Sequence, residues 1–402
     1  MPFNLRSFSA LGAILIQVLS TSAANIAKRA PTPWSNYVKN PIFYPSQDAT
    51  SWRSIYARSI QLPNKSLLLT WEDYDPTVKM PYWPIYKSLD GGATFQNFSR
   101  VHDQVNGWGV WYNPNLYTLP QAFGGYPAGT ILIAGESLPK DFSEAYIDIY
   151  ASTDEGLTWS FLSHIVYGPG PETTTNGNKA VWEPFLMMYN NQLVCFYSTQ
   201  ADQNHAQKLA HKTTTDLKNW SQEVNDVTYP DYNERPGMTT VAYSPKSGKY
   251  IMTYERCGEA NVSGCPVHFK VSSSPLTFDT ALGTRLLPSN GGAAPTGGSP
   301  YIIWTPTPGV TDGSGIFIAS GNSVESIFVN TDNLDPNAWK AVDVGMWSAY
   351  SRFLGIIDTP ADSVAKGKKK LFIANGGNMG CSGSCYNYVA DALVDIPSYP
   401  AA

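Results

Sequence analysis

One eight-residue pattern, S-x-D-x-G-x-T-aromatic, occurs twice in full, as SLDGGATF at 88–95 and STDEGLTW at 152–159. Looser copies follow in TTDLKNW (214–220), SSSPLTF (272–278) and NTDNLDPNAW (330–339). Anchored on Asp90, Asp154, Asp216, Ser274 and Asp332, successive copies lie 64, 62, 58 and 58 residues apart. A period that steady marks a repeated supersecondary unit. Each copy is preceded by strand-length apolar or alternating runs: LLLTWE, GTILIAGE, QLVCFYST, KYIMTYE and GIFIAS. No segment sustains a 3.6-residue apolar period. The expectation is an all-β chain folded as a six-bladed β-propeller, one domain over 30–402. A pair of β-sandwich domains fits the steady spacing less well. The segment around NPIFYPS (40–46) is expected to supply the outer strand of the last blade, which removes an exposed sheet edge.

The pattern suits the hairpin between the third and fourth strands of a blade. Its Asp carboxylate can accept bonds from turn amides, its Gly can take φ > 0, and its aromatic residue can pack between blades. Asp90 and Asp154 therefore read as structural staples. Strand alternation then divides the molecule. The start of each first strand and the end of each second strand share one face, and the Asp turns occupy the other.

The chain opens with Arg6, the apolar run LGAILIQVL (11–19) and small residues in STSAA, the order of a secretory signal peptide. Lys28-Arg29 adds a dibasic processing signal, so 1–29 is expected to be leader and short pro-segment. Secretion is further suggested by N-x-S/T sequons at Asn64, Asn97, Asn219 and Asn261. Local spacing predicts disulfides Cys257–Cys265 and Cys381–Cys385, with Cys195 a buried free thiol. Beyond residue 29 the chain holds 24 basic and 32 acidic residues, a formal charge of −8. That balance argues against nucleic acid or an anionic membrane as partner. The one basic cluster, KGKKK (366–370), reads as a solvated hairpin turn. The five histidines show no metal-ligand spacing, and no P-loop, dinucleotide fingerprint or G-x-S-x-G elbow is present, so no cofactor is expected.

Carboxylates converge on the face away from the Asp turns. Glu183, in AVWEPFLMMY, falls at the start of blade 3, with Pro184 biasing it towards extended backbone. Glu255, in GKYIMTYERCG, ends the second strand of blade 4; Glu72 and Glu136 end second strands in blades 1 and 2. Tyr350 opens the last blade, and Arg58, Arg235 and Arg352 fall at starts of first strands. Trp182 and Trp347 sit beside these positions, while the insert NGWGVWYNP (106–114) offers Trp108 and Trp111 at the mouth of blade 2. Two carboxyls across a cleft, with aromatic faces for sugar rings, are what glycosidic cleavage needs. A solvated strand-end Glu or an interblade Trp is the ordinary alternative at each position.

The Asp turns in phase are similar to those of sialidase-type propellers. VWEPF around Glu183, TYERCG around Glu255 and SAYSRFLG around Tyr350 resemble glycoside hydrolase family 93, the secreted fungal exo-α-1,5-L-arabinanases. The likeness covers essentially the whole chain after residue 29. It implies a monomeric six-bladed enzyme that releases arabinobiose from the end of linear arabinan, the side chains of pectin, with retained configuration. It also implies Glu183 as general acid/base, Glu255 as nucleophile and Tyr350 as a tyrosine beside the nucleophile. Arg58, Arg235, Arg352, Trp108, Trp111, Trp182 and Trp347 are candidates for substrate binding. Two other readings stay open. One is a sialidase with Tyr350 as nucleophile and three arginines on a sugar carboxylate, although the F-R-I-P signature is absent and YARSIQLPN is its nearest stretch. The other is a catalytically silent propeller that binds a glycan or protein.

Overall fold

The computed structural model describes residues 30–45, 54–75, 77–377, 379 and 388–399. The expected leader and the Cys381–Cys385 bridge lie outside these residues. The strands form six separate four-stranded antiparallel sheets. Blades 1 to 5 run in chain order over 54–102, 110–168, 181–227, 235–285 and 301–342. Blade 6 combines the strands Ser351–Asp358, Lys369–Gly376 and Val389–Asp395 with the N-terminal strand Tyr37–Phe43. Tyr37 pairs with Leu393 and Phe43 with Val389, so the ring closes as expected. Beneath this closure Asp391 is fully buried and accepts bonds from the Tyr37 hydroxyl and the Asn40 amide, each at 2.8 Å. Trp34 N–H donates to the Asp90 carbonyl, tying the same segment to blade 1.

The first strands contact one another around the axis. Residues facing between sheets alternate along each strand and fill the seams. Trp83 of blade 1, fully buried, packs with Ile131, Ile133 and Tyr150 of blade 2. Blade 2 accommodates that indole by placing Gly135 opposite it, because a Cβ there would lie 2.3 Å from the ring.

The two complete Asp turns are nearly superposable in their bonding. Asp154 accepts from Ser152 Oγ (2.8 Å), Thr158 N (2.9 Å) and Thr158 Oγ1 (2.6 Å). Asp90 accepts from Ser88 Oγ (2.8 Å), Thr94 N (2.9 Å) and Thr94 Oγ1 (2.7 Å). Gly156 and Gly92 follow at φ 87° and 89°, as the turn requires. The aromatic positions reach the preceding blade: Trp159 Nε1 donates to Ser99, and Trp220 Nε1 to Ser163. Asp332 departs from the pattern. Rather than closing its own turn, it accepts bonds from Ser244 of blade 4 and from Trp304 and Gly315 of blade 5, so it pins two blades.

A second repeat was not visible in the residue pattern. Four first strands carry a bulge near their start, with Tyr56, Asn113, Glu183 and Met238 at φ 54°, 51°, 66° and 55°. Ser299, just ahead of the first strand of blade 5, has φ 52°. Asn113, Glu183 and Ser299 each precede a proline, where extended backbone is the ordinary preference. The expectation of an extended Glu183 is therefore corrected: it occupies left-handed space, at a cost of about 1–3 kcal/mol that surrounding contacts must offset.

Candidate active site

Those contacts are specific. At three seams the amide of the left-handed residue donates to the carboxylate that ends the second strand of the preceding blade. Asn113 N–H meets Glu72 at 2.8 Å, Glu183 N–H meets Glu136 at 3.2 Å, and Ser299 N–H meets Glu255 at 3.0 Å. In blade 3 the corresponding second-strand position is Ser198, and there the Met238 N–H donates to Glu183 itself, at 2.6 Å. The acidic face read from the sequence is thus a set of interblade clasps. Glu255 is one of them.

Glu183 and Glu255 face each other across Gly237. A Cβ at Gly237 would lie 3.5 Å from Glu183 Oε2 and 3.2 Å from Glu255 Oε1. Two of their oxygens are therefore less than about 7 Å apart, close enough to act on one glycosidic bond. Glu183 accepts from Tyr56 OH (3.2 Å), Ser198 Oγ (2.6 Å) and Met238 N. Glu255 Oε2 is held by Ser299 N–H in a niche that only glycine permits at 298, where a Cβ would lie 1.9 Å from that oxygen. Oε1 remains turned towards Glu183.

Burial raises the pKa of both carboxyls. For Glu255, burial and then the charge of Glu183 push it up to about 8, against the opposing pull of Arg235. Burial also raises Glu183, while its three hydrogen-bond donors and Arg235 favour the ionised form. The pair therefore holds one proton near neutrality, and in the empty site the donors bias it towards Glu255. The donors that contact the Glu183 carboxyl all come from other strands.

A pocket of about 650 Å³ opens over the pair, a size suited to a small ligand. Of the sequence-predicted residues, Glu183, Glu255, Tyr350, Trp182 and Arg235 line it. Arg235 donates to the Thr174 carbonyl (2.7 Å) and Gln207 Oε1 (2.8 Å). Tyr350 hydrogen-bonds to Tyr56, their rings edge to face at 5.6 Å. The Cys257–Cys265 disulfide, as expected from spacing, forms part of the wall, with Cys257 Sγ 3.7 Å from Glu255 Oε1. Bridging removes both thiolates, so the Glu255, Cys257 and Cys265 cluster is no metal-binding set.

The other candidates lie elsewhere. Arg352 is buried, with its guanidinium bonded to the Glu325, Ser326 and Trp347 carbonyls and to Asn375; it does not reach Glu255. Arg58 faces a small axial void below Glu183 and lies over the Tyr56 and Tyr301 rings. Trp347 packs against Tyr388 under Lys39. Trp108 stacks on Tyr146, and Trp111 backs Tyr74, Tyr112 and Phe142 without lining the pocket. The connection 169–180 walls the pocket through Glu172, Thr173 and Thr174, and the 106–114 stretch does so through Tyr112 and Asn113 rather than through its tryptophans. Sequence reading missed Tyr56, Ser198, Gln207, Met238 and Ser299. An X-Pro step near the start of three first strands was the available signal for the bulges.

A propeller with two opposed, half-buried carboxyls at the floor of an axial pocket belongs to the glycosidase class. Among solved structures, the chain is similar to the α-L-arabinofuranosidase of Fusarium graminearum complexed with arabinobiose. The likeness has 40% identity and TM-score 0.81, covering 90% of this chain and 98% of that one. It is also similar to the α-L-arabinanase of Penicillium chrysogenum complexed with arabinobiose (37% identity, TM-score 0.80, the same coverage). A protein of unknown function from Dyadobacter fermentans shares the fold at 14% identity and TM-score 0.59. No family model and no curated protein matches the chain. The chain belongs to glycoside hydrolase family 93.

Proposed function

We propose that this protein is an exo-acting, retaining glycosidase that cleaves linear α-1,5-L-arabinan to arabinobiose, secreted and working as a monomer. The observation that carries the reading is the Glu183–Glu255 pair across Gly237 on the floor of a pocket, in a chain similar over 90% of its length to two proteins complexed with arabinobiose. Glu183 is the general acid/base and Glu255 the nucleophile. Glu255 Oε2 is committed to Ser299, which leaves Oε1 to attack the anomeric carbon while Glu183 protonates the departing oxygen. In the second half, Glu183 takes a proton from water as it displaces the glycosyl ester. Bound substrate favours the reactive proton arrangement. A glycosidic oxygen against Glu183 accepts its proton, and positive charge developing at the anomeric carbon favours ionised Glu255. Tyr350, coupled to Glu183 through Tyr56, supports the charge on the pair.

The ring is completed within one chain, which supports a monomer. The disulfide and the exposed asparagines of all four sequons support secretion. A sialidase reading loses its basis because only Arg235 of the three arginines lines the pocket.

Azide tests the roles. With an aryl arabinobioside carrying a good leaving group, Glu183→Ala is expected to stay active and to give a glycosyl azide of retained configuration. Glu255→Ala is expected to be inactive without azide and to give the inverted azide with it. The opposite products would exchange the two assignments, and no rescue in either variant would refute catalysis by this pair.

A further inference from the structure

Two carboxyls, one fully buried beside Glu183 and one in the pocket wall, have second oxygens that the mechanism leaves unused. Glu136 is fully buried; its Oε1 accepts the Glu183 N–H at 3.2 Å, and its Oε2 has no partner. Glu172, 5% exposed, accepts the Val181 N–H at 2.9 Å through Oε1, and its Oε2 likewise has none. The two carboxyls thus grip alternate amides of the segment 181–183, from which the Glu183 side chain projects. Glu136 comes from the second strand of blade 2 and Glu172 from the connection that follows that blade.

The charges acting most strongly on Glu136 are Glu172, then Glu72 of blade 1 and Glu183 of blade 3; none is a cation. Tyr112, on the first strand of blade 2, faces Glu72, Glu136 and Glu172 and stays neutral because burial raises it. Arg235 acts on Glu183 and Glu255. Two ionised carboxylates sealed together without a cation are disfavoured by lost hydration and by repulsion. A single proton removes the repulsion and turns one of the unpartnered oxygens into a donor.

We propose that Glu136 and Glu172 hold one proton between them and act as positioning residues for Glu183. Burial raises both groups, Glu172 to about 8, so the shared proton is retained through neutral pH. The pair then carries one negative charge instead of two, and the strand holding Glu183 is gripped from both sides without a repulsive strain. The inference rests on Glu183 being the proton donor, which the azide products establish separately, so either can fail alone.

The test is the alkaline limb of kcat/KM on arabino-oligosaccharides, which reports loss of the one proton that the Glu183–Glu255 pair holds in the free enzyme. Glu136→Gln or Glu172→Gln replaces a half-protonated pair with an amide and a carboxylate, so the charge beside Glu183 is unchanged. Each single variant is expected to keep the limb in place, whereas the double variant removes that charge and moves the limb to lower pH by about half a unit or more. Glu136→Ala should lower kcat about tenfold or more, with KM nearly constant, and Glu136→Gln, which still accepts the Glu183 N–H, should restore most of it. If either single Gln variant by itself moves the limb to lower pH, both groups were ionised and the shared proton is refuted. If Glu136→Gln is as slow as Glu136→Ala, the positioning role is refuted. Glu172→Gln keeps the limb test available should a change at 136 prevent folding.

Discussion

At the scale of single residues, reactivity here is a matter of backbone placement. Glu183 reaches its position because its φ of 66° turns the side chain towards Gly237, and three donors from three blades fix its oxygens there. Gly237 is the point both carboxyls approach. A methyl group at 237 would stand 3.2 Å and 3.5 Å from them and 2.7 Å from Gln207 Nε2, the end of a movable side chain. Gly237→Ala is therefore expected to fold with a near-normal melting temperature but to lose about a hundredfold or more in kcat/KM on arabino-oligosaccharides. Near-normal turnover would show that the anomeric carbon does not pass this point. Glu183, Glu255, Tyr350, Trp182 and Arg235 were legible in the sequence because strand direction alone sends them to the pocket face. Arg352 was misread for the same reason: direction names the end of a strand, but its guanidinium turned to unpaired carbonyls at the seam. Tyr56 and Met238 gave no signal, since nothing in their residue type announces a left-handed bulge.

At the scale of elements, the chain repeats two devices on opposite faces, and only one was legible. The Asp turns could be read because their chemistry lies within eight consecutive residues. The carboxylate-to-amide clasps could not, because each joins residues 40 to 50 positions apart: Glu72 to Asn113, Glu136 to Glu183, Glu255 to Ser299. Asp332 has the sequence of the first device and the behaviour of the second, pinning neighbouring blades. The seams themselves depend on matched shapes. Gly135→Ala would drive a methyl into the Trp83 ring, which is fully buried and has no room to retreat. The expected cost is about 1–3 kcal/mol in the unfolding free energy, measured by denaturant titration. A change within experimental error would mean that the seam between blades 1 and 2 is loosely packed.

For the whole molecule, the distribution of buried acids sets how stability follows pH. Burial pushes Glu172 and Glu255 up to about 8 and raises Glu136 and Asp391 as well. The folded protein therefore keeps protons that the unfolded chain releases near the ordinary carboxyl value. Their contribution to stability is complete below about pH 4.5 and is lost as pH rises towards about 8. Asp103 and Asp358 work in the other direction. Turn amides hold the first below its ordinary value, Lys369 and Lys65 the second, and their contribution is lost as pH falls through those depressed values. Scanning calorimetry is expected to find the highest melting temperature near about pH 5, with a decline of several degrees by about pH 8.5. A melting temperature that rises over that interval would contradict the protonated state of the buried acids.

Ring closure has a consequence for how the protein comes into being. Tyr37 is synthesised long before its partner Leu393. Five blades can assemble from neighbours in the chain, but the sixth must wait for both ends to meet, the kind of distant pairing that slows folding. Until then the Val389–Asp395 strand presents an open edge that another chain could occupy. Asp391 and Asn40 also meet only at that last step, so the buried contact they form is made late and cannot guide what precedes it. Of the described strands, the first to be made is the last to find its place.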